Sequence, residues 1–146
     1  IPAGQVVFNN SDVRIWQVPR DAYRQCLYST DEMHANVKPC GKTGAYLSDA
    51  IDKVMTTCEG VGIAMGEVYI MGDSPLALLT SLQSGFEADP SSSRWTPTPC
   101  PLIDAQGHYQ PNPTGRIIRV YTHIDTRLMF SDMEAKLKLF SMKKGK

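Results

Sequence analysis

Ser74, Asp104 and His108 are the residue types from which an acyl-transfer site is assembled: a hydroxyl nucleophile, an orienting carboxylate and an imidazole base. Ser74 stands in Gly72-Asp73-Ser74-Pro75, directly after the apolar run "VYIM". A serine at a sharp strand-to-helix turn projects its hydroxyl, which is what such chemistry requires. Asp104 and His108 lie four residues apart in "DAQGHYQPNPTG".

The stretch "VYIMGDSPL" resembles the Gly-Asp-Ser block of the GDSL or SGNH hydrolases, and "DAQGHYQPNPTG" is similar to that family's late Asp-x-x-His block. The resemblance implies a small serine esterase on a parallel sheet, with Ser74 as nucleophile and Asp104 and His108 as its partners. Two features depart from the family pattern. Asp104 and His108 are separated by one residue more than the family spacing, and the central Gly and Asn blocks that supply oxyanion donors there have no counterpart here. The same residues have a structural use: Pro75 suits the first turn of a helix, Asp73 or Ser74 can cap its free N–H groups, and Gly72 frees the backbone at the turn. We take the turn as the leading reading and the esterase as the alternative.

Other chemistry-bearing clusters lack their context. "CGKTG" at 40–44 has Asn36 where a phosphate-binding loop needs its first glycine. Asp31, Glu32 and His34 have no second histidine at ligand spacing, so no metal site is expected. His123 alternates with Tyr121 and Arg119 as a strand-surface residue. Trp16, Trp95 and the tyrosines are scattered rather than interleaved with basic residues, so nucleic acid is not indicated. No cofactor is called for.

The elements that must position these residues follow from the chain as a whole. Its 146 residues, 42% hydrophobic and 21% charged, fit one domain with its own core. Fifteen basic residues balance fifteen acidic ones, but unevenly. Residues 1–100 hold seven Lys/Arg against eleven Asp/Glu, net −4, and residues 101–146 hold eight against four, net +4. Arg116, Arg119, Arg127, Lys136 and Lys138, with Trp95, are therefore the candidate contact residues for an acidic protein partner or for self-association. No run is long and apolar enough to span a membrane. The start at Ile1 suggests a processed product or a piece of a longer protein. Cys26, Cys40, Cys58 and Cys100 lack C-x-x-C spacing; two disulfides or buried thiols both fit, and we lean to disulfides. Asn9-Asn10-Ser11 matches a glycosylation acceptor.

Periodicity predicts strands in "QVVFNNSDVRIWQV", in "VGIAMGEVYIM", in "RIIRVYTHI" and in "EAKLKLFSM", where leucines alternate with lysines. It predicts short helices after Pro19, from Ser48 to Gly60, and from Pro75 to Gly85. Residues 30–44 read as a loop, 89–115 as a long proline-rich irregular connection pinned by Trp95 and Cys100, and 143–146 as a basic tail. The expected fold is a strand-dominated α+β domain, an antiparallel sheet or two-layer β-sandwich with two or three short helices in its connections. The expected role is a non-catalytic structural or binding module, such as a secreted surface domain or a viral coat or protrusion domain.

Overall fold

The computed structural model describes residues 1–82 and 92–144. It is an α+β structure but not a strand-dominated one: helix takes 49% of the residues and strand 19%. The largest departure is at the C-terminus, where "EAKLKLFSM" belongs to the long helix α6, Thr126–Lys144. Alternation of Leu137 and Leu139 with lysines mimics a strand over four residues, yet Met129, Met133 and Leu137 repeat every four. The longer window decides, because Lys, Leu, Glu, Ala and Met are all good helix formers and Asp125 caps the first turn by accepting the N–H of Leu128 at 2.9 Å.

The N-terminal segment departs in the same direction. Pro2–Asn9 is helix α1, with Pro2 in the first turn where its missing N–H costs nothing. Of the second expected strand only β1, Trp16–Gln17, forms. α1 is held by distant residues: the Arg116 guanidinium donates to the carbonyls of Val7 (2.8 Å) and Phe8 (3.0 Å), a cation at a helix C-terminus. Asn9 donates to and accepts from the Ile103 backbone at 2.9 and 2.8 Å, so its amide is engaged on both sides.

After the short helix α2 (Arg20–Tyr23) and strand β2 (Leu27–Ser29), the expected loop is mostly helical. It holds α3 (Thr30–Glu32), a π-helical turn at Met33–Val37, and the start of α4 (Gly41–Gly60). α4 thus begins a full two turns before Ser48, which is buried within it rather than capping it. Gly44 permits the closeness: a Cβ there would stand 2.0 Å from the Val37 carbonyl oxygen. The strand expected over "VGIAMGEVYIM" shrinks to β3, Val68–Ile70, antiparallel to β2. Helix α5 follows, Pro75–Ser81; its expected extension to Gly85 lies outside the described residues.

The proline-rich connection is not irregular over its described part. Arg94–Pro99 is β4, Leu102–Ile103 and Tyr109–Gln110 form the hairpin β5–β6, and Ile117–His123 is β7. β7 is the centre of a three-stranded sheet, parallel to β1 and antiparallel to β4. β4 tolerates Pro97 and Pro99 because it is an edge strand, where a residue without an N–H can face away from its neighbour. Ile118 and Ile124 are buried as their spacing predicts, and Tyr121 on the opposite face is buried as well.

Among the described residues two apolar clusters make the core. One joins Ala22, Cys26, Leu78, Tyr121, Ile124 and Met129; the other is built on Tyr28, Met33 and Val37. Phe130 of α6 packs against both, which makes this helix the shared wall of the interior. Tyr28 adds a polar tie by donating its O–H to Glu134 of α6 at 2.5 Å. All four cysteines are free thiols, so the expected disulfides are absent; Cys26, Cys40 and Cys100 are buried and pack as small hydrophobes. Among the described residues no helix is long and apolar enough to cross a membrane.

Candidate functional site

Where α5 runs beside α6, the two helices leave a groove of about 510 Å³. α5 supplies Ala77 and Leu78, and α6 supplies Met129, Met133, Leu137 and Phe140. Ser74 and Ser81 mark its α5 rim, while Asp132 and Lys136 form an i,i+4 ion pair on the α6 rim. The local reason is helical spacing. Residues 129, 133, 136, 137 and 140 fall on one face of α6 because they follow a 3.6-residue period, and that face continues past the end of the core. Phe140 consequently keeps 45% of its surface exposed. An apolar floor with a charged rim can hold an apolar segment.

Ser74 is the residue before α5 and rims this groove, but its hydroxyl does not cap the helix. The turn is closed by the backbone instead: Ser74 N–H donates to the Met71 carbonyl at 3.1 Å, and the Ala77 N–H donates to the Ser74 carbonyl at 3.1 Å. The expected side-chain cap from Asp73 or Ser74 is therefore replaced by main-chain bonds. Asp104 and His108 are together, but in the β5–β6 hairpin. Asp104 accepts the backbone N–H groups of His108 (2.8 Å) and Gln106 (2.9 Å) and the side-chain amide of Gln110 (2.9 Å). These bonds, that of His108 foremost, hold its carboxyl below the usual value. His108 Nδ1 is 3.5 Å from Asp104, and no hydrogen bond among the described residues connects Ser74 to either residue.

The candidate basic residues are dispersed. Arg116 is spent on α1, as described above. Arg119 lies over the rings of both Trp16 and Trp95, 4.9 and 4.4 Å from their centroids, a cation–π stack that runs across all three strands of the sheet. Arg127 is exposed at the start of α6. Lys136 rims the apolar groove, and Lys138 lines a separate, more polar hollow of about 560 Å³ with Cys40 and Glu134. Glu32 turns back to accept the Ser29 N–H, and His34 pairs with Asp52 at 3.0 Å, so two of the three residues Asp31, Glu32 and His34 are engaged elsewhere.

The groove-forming Met129, Met133, Leu137 and Phe140 were not among the candidate residues read from sequence. The signal that could have found them is the four-residue repeat of apolar side chains from 129 to 137, hidden by the local alternation at 136–139. No protein-family model matches the chain, no curated protein matches it, and no solved structure does.

Proposed function

We propose that this chain is a non-catalytic binding module that holds an apolar helical segment of a protein in the α5–α6 groove. The supporting observation is the groove itself: six apolar side chains from two helices line a concavity of about 510 Å³, with Phe140 left substantially exposed beside it. Grooves of this kind take amphipathic helices by their i, i+3, i+4 and i+7 anchors. The esterase alternative retains Ser74 at the groove rim and would need a base to reach it.

Two measurements on one sample test the choice. Amphipathic helical peptides titrated into the chain should shift the methyl resonances of Met129 and Met133, and Leu137→Glu should remove the shift while Ser74→Ala leaves it intact. Covalent labelling of the wild type by a fluorophosphonate, lost in Ser74→Ala, would overturn the binding reading in favour of the hydrolase.

A further inference from the structure

The outer side of α6, turned away from the groove, bears a second apolar stripe. Ala135, Leu139 and Met142 are spaced by four and three residues, which places them on one helical face, and none of them lines the groove. All three are exposed, Leu139 at 59% and Met142 at 64%. At about 100° per residue, Lys138 falls on one side of the stripe and Lys136 and Lys143 fall on the other. Apolar side chains framed by long cationic ones are the pattern of a helix that lies on a bilayer surface.

The charge around the stripe is mostly of one sign. Residues 135–146 contain Lys136, Lys138, Lys143, Lys144 and Lys146 and no Asp or Glu, a side-chain net of +5. Lys136 is paired with Asp132, whereas Lys138 and Lys143 are exposed beside the stripe. Ala135, Lys138 and Met142 also form one wall of the polar hollow, and Ala35, Asn36 and Pro39 opposite them add no charge. The carboxylate of Glu134 in that hollow is engaged by the Tyr28 O–H at 2.5 Å. Gly41, at the start of α4, lies against Ser141, where an added Cβ would be 3.5 Å from Ser141 Cβ, so the exposed Lys42 belongs to the same end of the molecule.

Charge complementarity calls for an anionic partner, and two further properties favour a lipid surface over a protein. From Ala135 to Met142 the stripe runs about 10 Å with three side chains, much less than the roughly 800 Å² per partner of a stable protein interface, but enough for shallow insertion among headgroups. Its cations are all lysines, flexible point charges suited to a diffuse anionic field, where fixed carboxylates of a protein favour the planar fork of arginine.

We propose that the C-terminal half of α6 is a membrane-surface contact, with Leu139 and Met142 entering the headgroup region of an anionic bilayer and Lys138 and Lys143 meeting its negative charges. The helix lies on the bilayer rather than crossing it. This surface is separate from the groove and does not depend on the binding reading above.

Flotation of the full chain with vesicles tests it. The chain should bind phosphatidylcholine vesicles containing about 30% phosphatidylserine but not phosphatidylcholine alone, and added salt should release it. Lys138→Gln and Lys143→Gln should each lower partitioning about fivefold, and Leu139→Ser roughly tenfold. These three side chains are exposed, so circular dichroism should stay unchanged. No binding to the anionic vesicles overturns the proposal, and so does equal binding to both kinds. Binding that survives Leu139→Ser and Met142→Ser together would be attraction by the lysines alone and would overturn the stripe as the contact. A chain that ignores vesicles but binds an acidic amphipathic helical peptide, and loses it in Leu139→Ser, would overturn the lipid surface in favour of a protein partner.

Discussion

The backbone of Gly72 lies directly against the ring of Tyr23: a Cβ at position 72 would stand 1.9 Å from Tyr23 Cδ2 and 2.0 Å from Cε2. The glycine of the Gly-Asp-Ser-Pro turn is therefore required by packing between α2 and the turn that starts α5. Gly72→Ala should destabilise the fold by about 1–3 kcal/mol, the usual cost of forcing a group into a filled space. A lowered urea midpoint with an unchanged slope would show it. Tyr23→Ala in the same chain should recover part of the loss, because it removes the obstructing ring and the two sites are coupled.

Asp125 is the hinge between the sheet and α6. Its carboxylate accepts the N–H of Leu128 at 2.9 Å and of Ser92 at 3.1 Å. Burial acts to raise its pKa, but the bonds from Leu128 and Ser92, with the charge of Arg127, outweigh burial and leave it below its ordinary 3.8. A lowered folded-state value means the contribution to stability is complete above the unfolded value and lost as pH falls through the folded one. Asp125→Ala should cost about 0.5–2 kcal/mol at neutral pH, as loss of a helix cap does. Asp125→Asn keeps a cap oxygen and should flatten the acid limb of the stability profile. Urea midpoints measured across acidic pH check both; the residual slope should include Asp104, whose lowered carboxyl has the same sign.

Arg116 fastens α1 to the strand side of the molecule through two main-chain carbonyls. Replacing it with Met should cost about 1.5–3 kcal/mol, the range for hydrogen bonds to a charged group. Amide hydrogen exchange should localise the effect: α1 should lose protection first, with β7 unchanged. Uniform loss of protection would show instead that Arg116 supports the whole core.

The four thiols should be countable and unequal. Alkylation of the denatured chain without reductant should modify all four cysteines. In the native state Cys58, the least buried, should react first. Cys26 should react last, because burial pushes its thiol up to about 11 and the thiolate is the reactive form. Two cysteines resistant to alkylation until reduced would mean a disulfide and contradict the free-thiol arrangement.

Some of this molecule is legible from its residues alone. The pattern of "RIIRVYTHI" defines β7, and Pro75 after Gly72 defines the start of α5, because strand alternation and the demands of proline and glycine act within a few residues. The mixed α+β class is recovered too, although the balance between helix and strand is not. α1 is a helix where apolar alternation suggests a strand, held by an arginine more than a hundred residues away. β4 forms in a proline-rich segment because β7 offers it one hydrogen-bonding edge and leaves the other free for prolines.

The groove shows the division most clearly. Sequence alone determined which residues of α6 share a face, since helical period is a local property, but there the nearer alternation of leucine and lysine obscured it. That this face continues past the core, and that α5 lies beside it to form a second wall, was decided only by tertiary packing. The physical reason is that periodicity reports how residues align along one element, whereas a concave site depends on how two elements distant in sequence come to lie together.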